Sequence, residues 1–244
     1  MADSIPNGHL MRSPMQGHAT GSRPNVRGAT DVQISGYMCS NIALVSTWVS
    51  GVNALEMTLG NALDTAVPQH CGGTQQCEQG LLMRTGPQEF LLVGKPFRSD
   101  VAGSLRKDIP AAVGSVIDLS HARCRVRVEG VQCKAVLNKL FALNLLDLEF
   151  PVGEVRLSGH HHVPATLHRL GPEVFDLYVF STYAHDQLGV LLDAALEYGV
   201  VLHSVRIYLM VLKAPSETWA RFEAWIGWFL NRIRFARWFA LHSS

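Results

Sequence analysis

Three groups of side chains in this sequence are of the right types to do chemistry, and their spacing decides what each can support. Asp118, Ser120 and His121 have the composition of a nucleophilic triad. In such a site the hydroxyl, imidazole and carboxylate converge from separate segments. Here they fall within one strand end, where a serine and an aspartate more simply hydrogen-bond a neighbouring turn. No catalytic residue is therefore assigned. His160, His161 and His162 raise a metal question, because alternate residues on a strand face the same way and His160 with His162 could chelate a cation. A third ligand would have to come from His168, His121 or Asp176, and a polar turn between strands explains the cluster equally well.

The third group is Arg123, Arg125 and Arg127 in the run ARCRVRVE, where they alternate with Cys124, Val126 and Val128. That is the period of a sheet with one covered face. The arginine side reads either as a solvated face laced with salt bridges or as a docking surface for an acidic partner. Arginine suits interfaces because its planar fork pairs with carboxylates and stacks on aromatics.

Other site types find less support. The five cysteines, Cys39, Cys71, Cys77, Cys124 and Cys133, contain no CxxC pair and read as free thiols in a reducing cytosol. Cys71 and Cys77 share a Gly/Gln loop and could pair or form half a metal site, but free thiols are the expectation. Gly51, Gly60 and Gly72 are isolated, so no GxGxxG follows a strand and no cofactor-binding residue is assigned.

The elements that must carry these residues come from a chain of 244 residues, 48% hydrophobic and 17% charged, ample for a core. Lys plus Arg total 21 against 20 Asp plus Glu, which leaves no field for a polyanion, so nucleic acid is excluded as a partner. Residues 1–30 mix Pro, Gly, Ser, Asn and Arg without the apolar core of a signal peptide and read as a flexible leader. Trp219 to Leu241 is interrupted by Arg221, Glu223, Arg232, Arg234 and Arg237, too many charges for a membrane span. A cytoplasmic location is expected.

Asn41 to Val49 reads as a strand, and Leu55, Leu59 and Leu63 place a helix over Val52 to Leu63. A loop over His70 to Gln79 precedes a hairpin of Leu81 to Arg84 and Glu89 to Val93. Ser99 caps a helix carrying Val101 and Leu105 that stops before Pro110, and Ser115 to Leu119 is a strand. The second half repeats the order. Ala122 to Glu129 is a strand, and Val136, Leu137, Leu140 and Phe141 form a helical stripe. Glu154 to Leu157, His162 to Arg169 and Val174 to Phe180 are strands. A helix capped by Ser181 or Thr182 then buries Leu188, Leu191, Leu192, Ala195 and Leu196, with Gly199 as its C′ residue. A strand from Val200 to Leu212 closes the unit.

The expected class is α+β. It comprises two tandem βαββα units, each a small, mainly antiparallel sheet with helices on one face. The units span residues 31–114 and 115–213, with the boundary near Gly114. Residues 214–244 form an aromatic tail with four of the five tryptophans, Trp219, Trp225, Trp228 and Trp238. Those tryptophans, like the arginine row, are candidate interface residues, and the isolated chain is expected to self-associate through them. Packing of the tail on its own domain is the other reading.

Three stretches carry a family resemblance: RTGPQEFLLV (Arg84 to Val93), DLSHARCRVRVEGVQCKAVLNKLFALNL (Asp118 to Leu145) and FDLYVFSTYAHDQLGVLLDAALEYG (Phe175 to Gly199). Together with RSPM (Arg12 to Met15), in this order and spacing, they resemble the gamma chain of heterotetrameric sarcosine oxidases. The last two are also similar to the glycine-cleavage T protein and its folate-binding relatives. The resemblance implies a structural subunit of a complex with alpha, beta and delta chains that oxidatively demethylates sarcosine to glycine. It also implies that FAD, FMN, NAD, tetrahydrofolate and zinc are held on the other subunits. A folate-dependent aminomethyltransferase or demethylase like the T protein is the alternative.

Overall fold

Alternating burial builds the strand that carries the arginines. From Arg123 to Glu129 every second side chain, Cys124, Val126 and Val128, is buried, while the arginines between them are half-buried. The structure is a computed structural model that describes residue 15 and residues 17–38, 41–95 and 100–206. In chain order the elements are β1 (Gly21–Arg23), β2 (Val32–Met38), β3 (Ile42–Ser46), α1 (Val52–Leu63), β4 (Thr74–Gln76), β5 (Gly80–Gly86), β6 (Glu89–Gly94), α2 (Val101–Asp108) and β7 (Ser115–Asp118). They continue with β8 (Arg123–Glu129), α3 (Cys133–Leu140), β9 (Val155–His160), β10 (Val163–Gly171), β11 (Val174–Phe180), α4 (Ala184–Ala195) and β12 (Val200–Arg206).

The protein is α+β with two sheets. Seven strands run in the order β1-β12-β2-β8-β11-β10-β9 and five in the order β4-β5-β6-β3-β7. Every pairing is antiparallel except β12 beside β2. Strands reach their sheets out of chain order. The early strand β2 lies at the centre of the larger sheet against β8, while β7, which follows Gly114, edges the smaller one against β3.

Each sheet buries one face under helices. Leu55, Leu59 and Leu63 of α1 and Val101, Ala102 and Leu105 of α2 pack on Ala43, Val45, Leu82, Phe90 and Leu92 of the five-stranded sheet. Val136 and Leu137 of α3 and Leu188, Leu191 and Leu192 of α4 pack on Val126, Val128, Phe175, Leu177 and Val179 of the seven-stranded one. The remaining faces are not left to water. Ile42, Met83 and Leu91 of the smaller sheet join Val155 and Tyr178 of the larger in a third buried cluster. Tyr178 stands opposite Arg125 in the register, so the arginine row belongs to the face that meets the other sheet.

Several local expectations change. Strand β2 lies in residues 31–40 of the expected first unit, where no element was assigned, and buries Val32 and Ile34 fully at strand spacing. Strands β1 and β4 form within the expected leader and the expected loop. Helix α2 is capped by Asp100, whose carboxylate accepts from the Gly103 amide at 2.9 Å; Ser99 lies outside the described residues. Ser181 to Tyr183 form a 3-10 turn leading into α4, and neither Ser181 nor Thr182 caps that helix with its side chain. Gly199 does end the helical segment, after the 3-10 turn Leu196–Tyr198, with a positive φ of 73°. Gly130, where β8 ends, needs its missing side chain, since at φ 119° a Cβ would stand 2.2 Å from the Asp31 carbonyl oxygen.

Candidate functional site

The arginine face is a cluster of paired charges rather than an open basic stripe. The register brings Asp176 of β11 opposite Arg127 of β8 and His168 of β10 opposite Asp176, a row that crosses three strands. Arg127 donates from Nε to Asp176 Oδ1 at 2.8 Å and from Nη2 to Oδ2 at 3.0 Å, a bidentate fork, and Arg125 Nη1 approaches Oδ2 at 3.5 Å. The Asp176 side chain is 1% exposed, whereas those of Arg125 and Arg127 are 17% and 21% exposed. Both guanidiniums also lie over the Tyr37 ring of β2, at 4.3 and 5.7 Å from its centroid. Arg123 stacks on Phe180 at 3.5 Å, and burial, partly offset by Glu89 of β6, lowers its pKa.

His168 completes the row from within the protein. Burial pushes its pKa down to about 4; the Asp176 carboxylate works against that shift, while Arg127 and Arg125 reinforce it. The imidazole is therefore neutral at pH 7, and its Nδ1 is buried without a hydrogen-bond partner among the described residues. A carboxylate forked by one arginine and approached by a second, beside a neutral imidazole, fixes strands to one another.

The histidine run is split by a turn. His160 ends β9 fully buried, with its Nδ1 in a hydrogen bond to Gln187 Oε1 of α4, its ring 5.0 Å from that of Phe141, and its pKa lowered by burial. His161 and His162 form the turn between β9 and β10, with φ of 47° and 70°, and both are exposed. His160 and His162 thus do not lie as alternate residues of one strand, as the chelate reading requires. Among the described residues no three His, Cys, Asp or Glu side chains gather as they would around a metal ion.

Asp118, Ser120 and His121 also separate by role. Asp118 Oδ1 accepts from the Ser120 hydroxyl at 2.5 Å and from its amide at 2.8 Å, which holds the carboxylate below its ordinary pKa. Ser120 Oγ accepts in turn from the Ile42 amide at 3.2 Å, tying the turn to β3. This is an Asx-type turn. Cys71 and Cys77 are both free, the first exposed and the second buried. Burial raises the thiol pKa of Cys124, and that of Cys133 to about 11, so both are protonated at neutral pH.

Two arginine staples escaped the sequence reading. Arg169 of β10, 1% exposed, donates to the Phe150 carbonyl and to Asp147, pinning the loop before β9. Arg84 of β5 donates to Glu56 of α1 at 2.7 Å, to the Pro68 carbonyl at 3.0 Å and to the Pro87 carbonyl at 2.8 Å. Nothing in the spacing of a lone arginine in an apolar strand marks it as a staple; the signal exists only once the loops are placed. Trp219, Trp225, Trp228 and Trp238 lie outside the described residues.

No family model matches the chain. It is 25% identical over 150 residues, 62% of its own length and 71% of the relative's, to sarcosine oxidase subunit gamma of Corynebacterium sp. (strain U-96). The chain resembles a sarcosine oxidase gamma subunit. Its fold matches a chain of the heterotetrameric sarcosine oxidase of Corynebacterium sp. U-96, solved in complex with pyrrole 2-carboxylate, with a TM-score of 0.62 at 21% identity. That match covers 68% of this chain and 85% of the other. The fold is also that of aminomethyltransferase T of the glycine cleavage system from Bartonella henselae (TM-score 0.51, 16% identity, 72% of this chain). This chain spans only 48% of that enzyme. Among the described residues no helix is long and apolar enough to cross a membrane.

Proposed function

We propose that this chain is a structural, non-catalytic gamma-type subunit of a sarcosine oxidase-type complex, acting in the cytoplasm with alpha, beta and delta partners. In this reading the complex demethylates sarcosine oxidatively to glycine, and FAD, FMN, NAD, tetrahydrofolate and zinc reside on the other chains. The observation that carries the reading is the similarity to the sarcosine oxidase gamma subunit over 71% of that relative's length. The way the described polar residues are used supports it: Asp176 and Arg127 tie β11 to β8, and Asp118 and Ser120 hold their turn against β3.

Co-expression of the full chain with the three other subunits, followed by gel filtration and absorbance spectroscopy, tests the reading. The expected result is one species holding all four chains and a flavin spectrum, while the chain alone is colourless and does not oxidise sarcosine. Flavin absorbance in the isolated chain, or its failure to enter the complex, overturns the reading. The fold shared with aminomethyltransferase T favours a second reading, a folate-dependent transferase or demethylase. Calorimetric titration of the isolated chain with tetrahydrofolate separates the two, since micromolar binding supports the transferase and absence of heat supports the structural subunit.

A further inference from the structure

Helix α1 turns an unusual face outward. Leu55, Leu59 and Leu63 hold its inner side to the smaller sheet, while Asn53, Glu56, Met57, Gly60 and Asp64 line a groove closed on its far side by residues 65–69. The 3-10 turn Val49–Gly51 runs directly into the helix, so Val49, Asn53, Met57 and Gly60 recur every three or four residues along one stripe. Met57 in the groove lining is 69% exposed, and Trp48 and Val49, which precede the helix outside that lining, are 81% and 78% exposed. The hydrogen bonds of the neighbouring turn draw this end together, because Thr47 donates its amide to the Gln88 carbonyl while Arg84 joins Pro87 to Glu56.

Tryptophan and methionine are residue types enriched at the centres of protein interfaces, and a tryptophan held in water at the end of a rigid sheet is an anchor without a pocket. The groove's charges say what fits it. Its lining contains two carboxylates, Glu56 and Asp64, and no basic residue. Glu56 is neutralised by Arg84, and Asp64 makes no ion pair among the described residues. Two copies of this chain meeting groove to groove would bring together two Asp64 carboxylates in linings that hold no basic residue to answer them, which opposes a symmetric dimer there.

We propose that the α1 groove is the docking site for a different subunit of the complex, through a segment that lays apolar side chains on Trp48, Val49 and Met57 and points a lysine or arginine at Asp64. The proposal rests on the gamma-subunit reading and names the surface that reading requires. Its test is the four-chain complex assembled with wild type, Trp48→Ala, Met57→Glu or Asp64→Asn, the last chosen because asparagine tolerates the left-handed backbone of Asp64.

Trp48→Ala and Met57→Glu are expected to weaken incorporation of the chain at least about 30-fold, as loss of an interface anchor does. Asp64→Asn should weaken it several-fold and flatten its dependence on salt. The isolated variants should melt with the wild-type chain, since these side chains are exposed; should Trp48→Ala melt earlier, Met57→Glu and Asp64→Asn decide the matter. Equal incorporation of wild type and variants overturns the docking site while leaving the subunit reading intact. A wild type that never enters the complex overturns the reading and the site with it. A wild-type homodimer that Trp48→Ala dissociates assigns the groove to a second copy instead and overturns the proposal.

Discussion

At the scale of single residues, the larger sheet is governed by one buried carboxylate. Asp176 is forked by Arg127 and approached by Arg125 at a site it scarcely shares with water. Replacing it by alanine leaves two half-buried guanidiniums facing a void. We expect a loss of about 3 kcal/mol in urea unfolding, near the low end for a broken buried pair because both arginines keep some solvent and their stacking on Tyr37. His168 sets the pH dependence. Its folded pKa near 4 lies below the value of 6.5 for an unperturbed imidazole, so between the two the unfolded chain binds the proton first. Stability is therefore highest above about pH 6.5 and is lost as pH falls toward 4. From pH 7 to pH 4.5 the wild type should lose about 2 kcal/mol more than His168→Gln. His160, also lowered by burial, acts in the same direction and remains in both proteins, so the difference reports His168.

At the scale of elements, caps and periods decide what forms. The Asp100 carboxylate takes up the Gly103 amide at the start of α2, a helix of only eight residues. Asp100→Ala should cost about 1 kcal/mol by thermal melting, and Asp100→Ser should recover most of it, because serine also caps. Elements whose own period declares them were legible in the sequence. These are α1 with Leu55, Leu59 and Leu63, the alternating β8, and the β5–β6 hairpin around its Gly and Pro. What escaped depended on partners. Strand β4 has three residues and exists by pairing with β5, and β1 by pairing with β12. The period of β2 is broken by Gly36, which hid a central strand. The histidine run left chelate and polar turn both open for a related reason: a two-residue turn with both φ positive can be built from His161 and His162, although asparagine and glycine are its usual occupants. The arginine face was read as solvated or docking because no single strand announces a second sheet in front of it.

At the scale of the whole molecule, the strand pairings of both sheets and the three buried clusters found among the described residues fall between Met15 and Arg206. Four of the five tryptophans lie in residues 214–244, among several arginines, a composition suited to an interface. A chain ended after Ala214 should unfold in one cooperative transition at nearly the full-length temperature, because the helices that cover each sheet are kept whole. In sedimentation velocity at micromolar concentration the full-length chain should self-associate and the shortened one should run as a monomer. A shortened chain that fails to fold would assign the segment to the protein's own core. A shortened chain that folds yet still self-associates would move the contact to another surface.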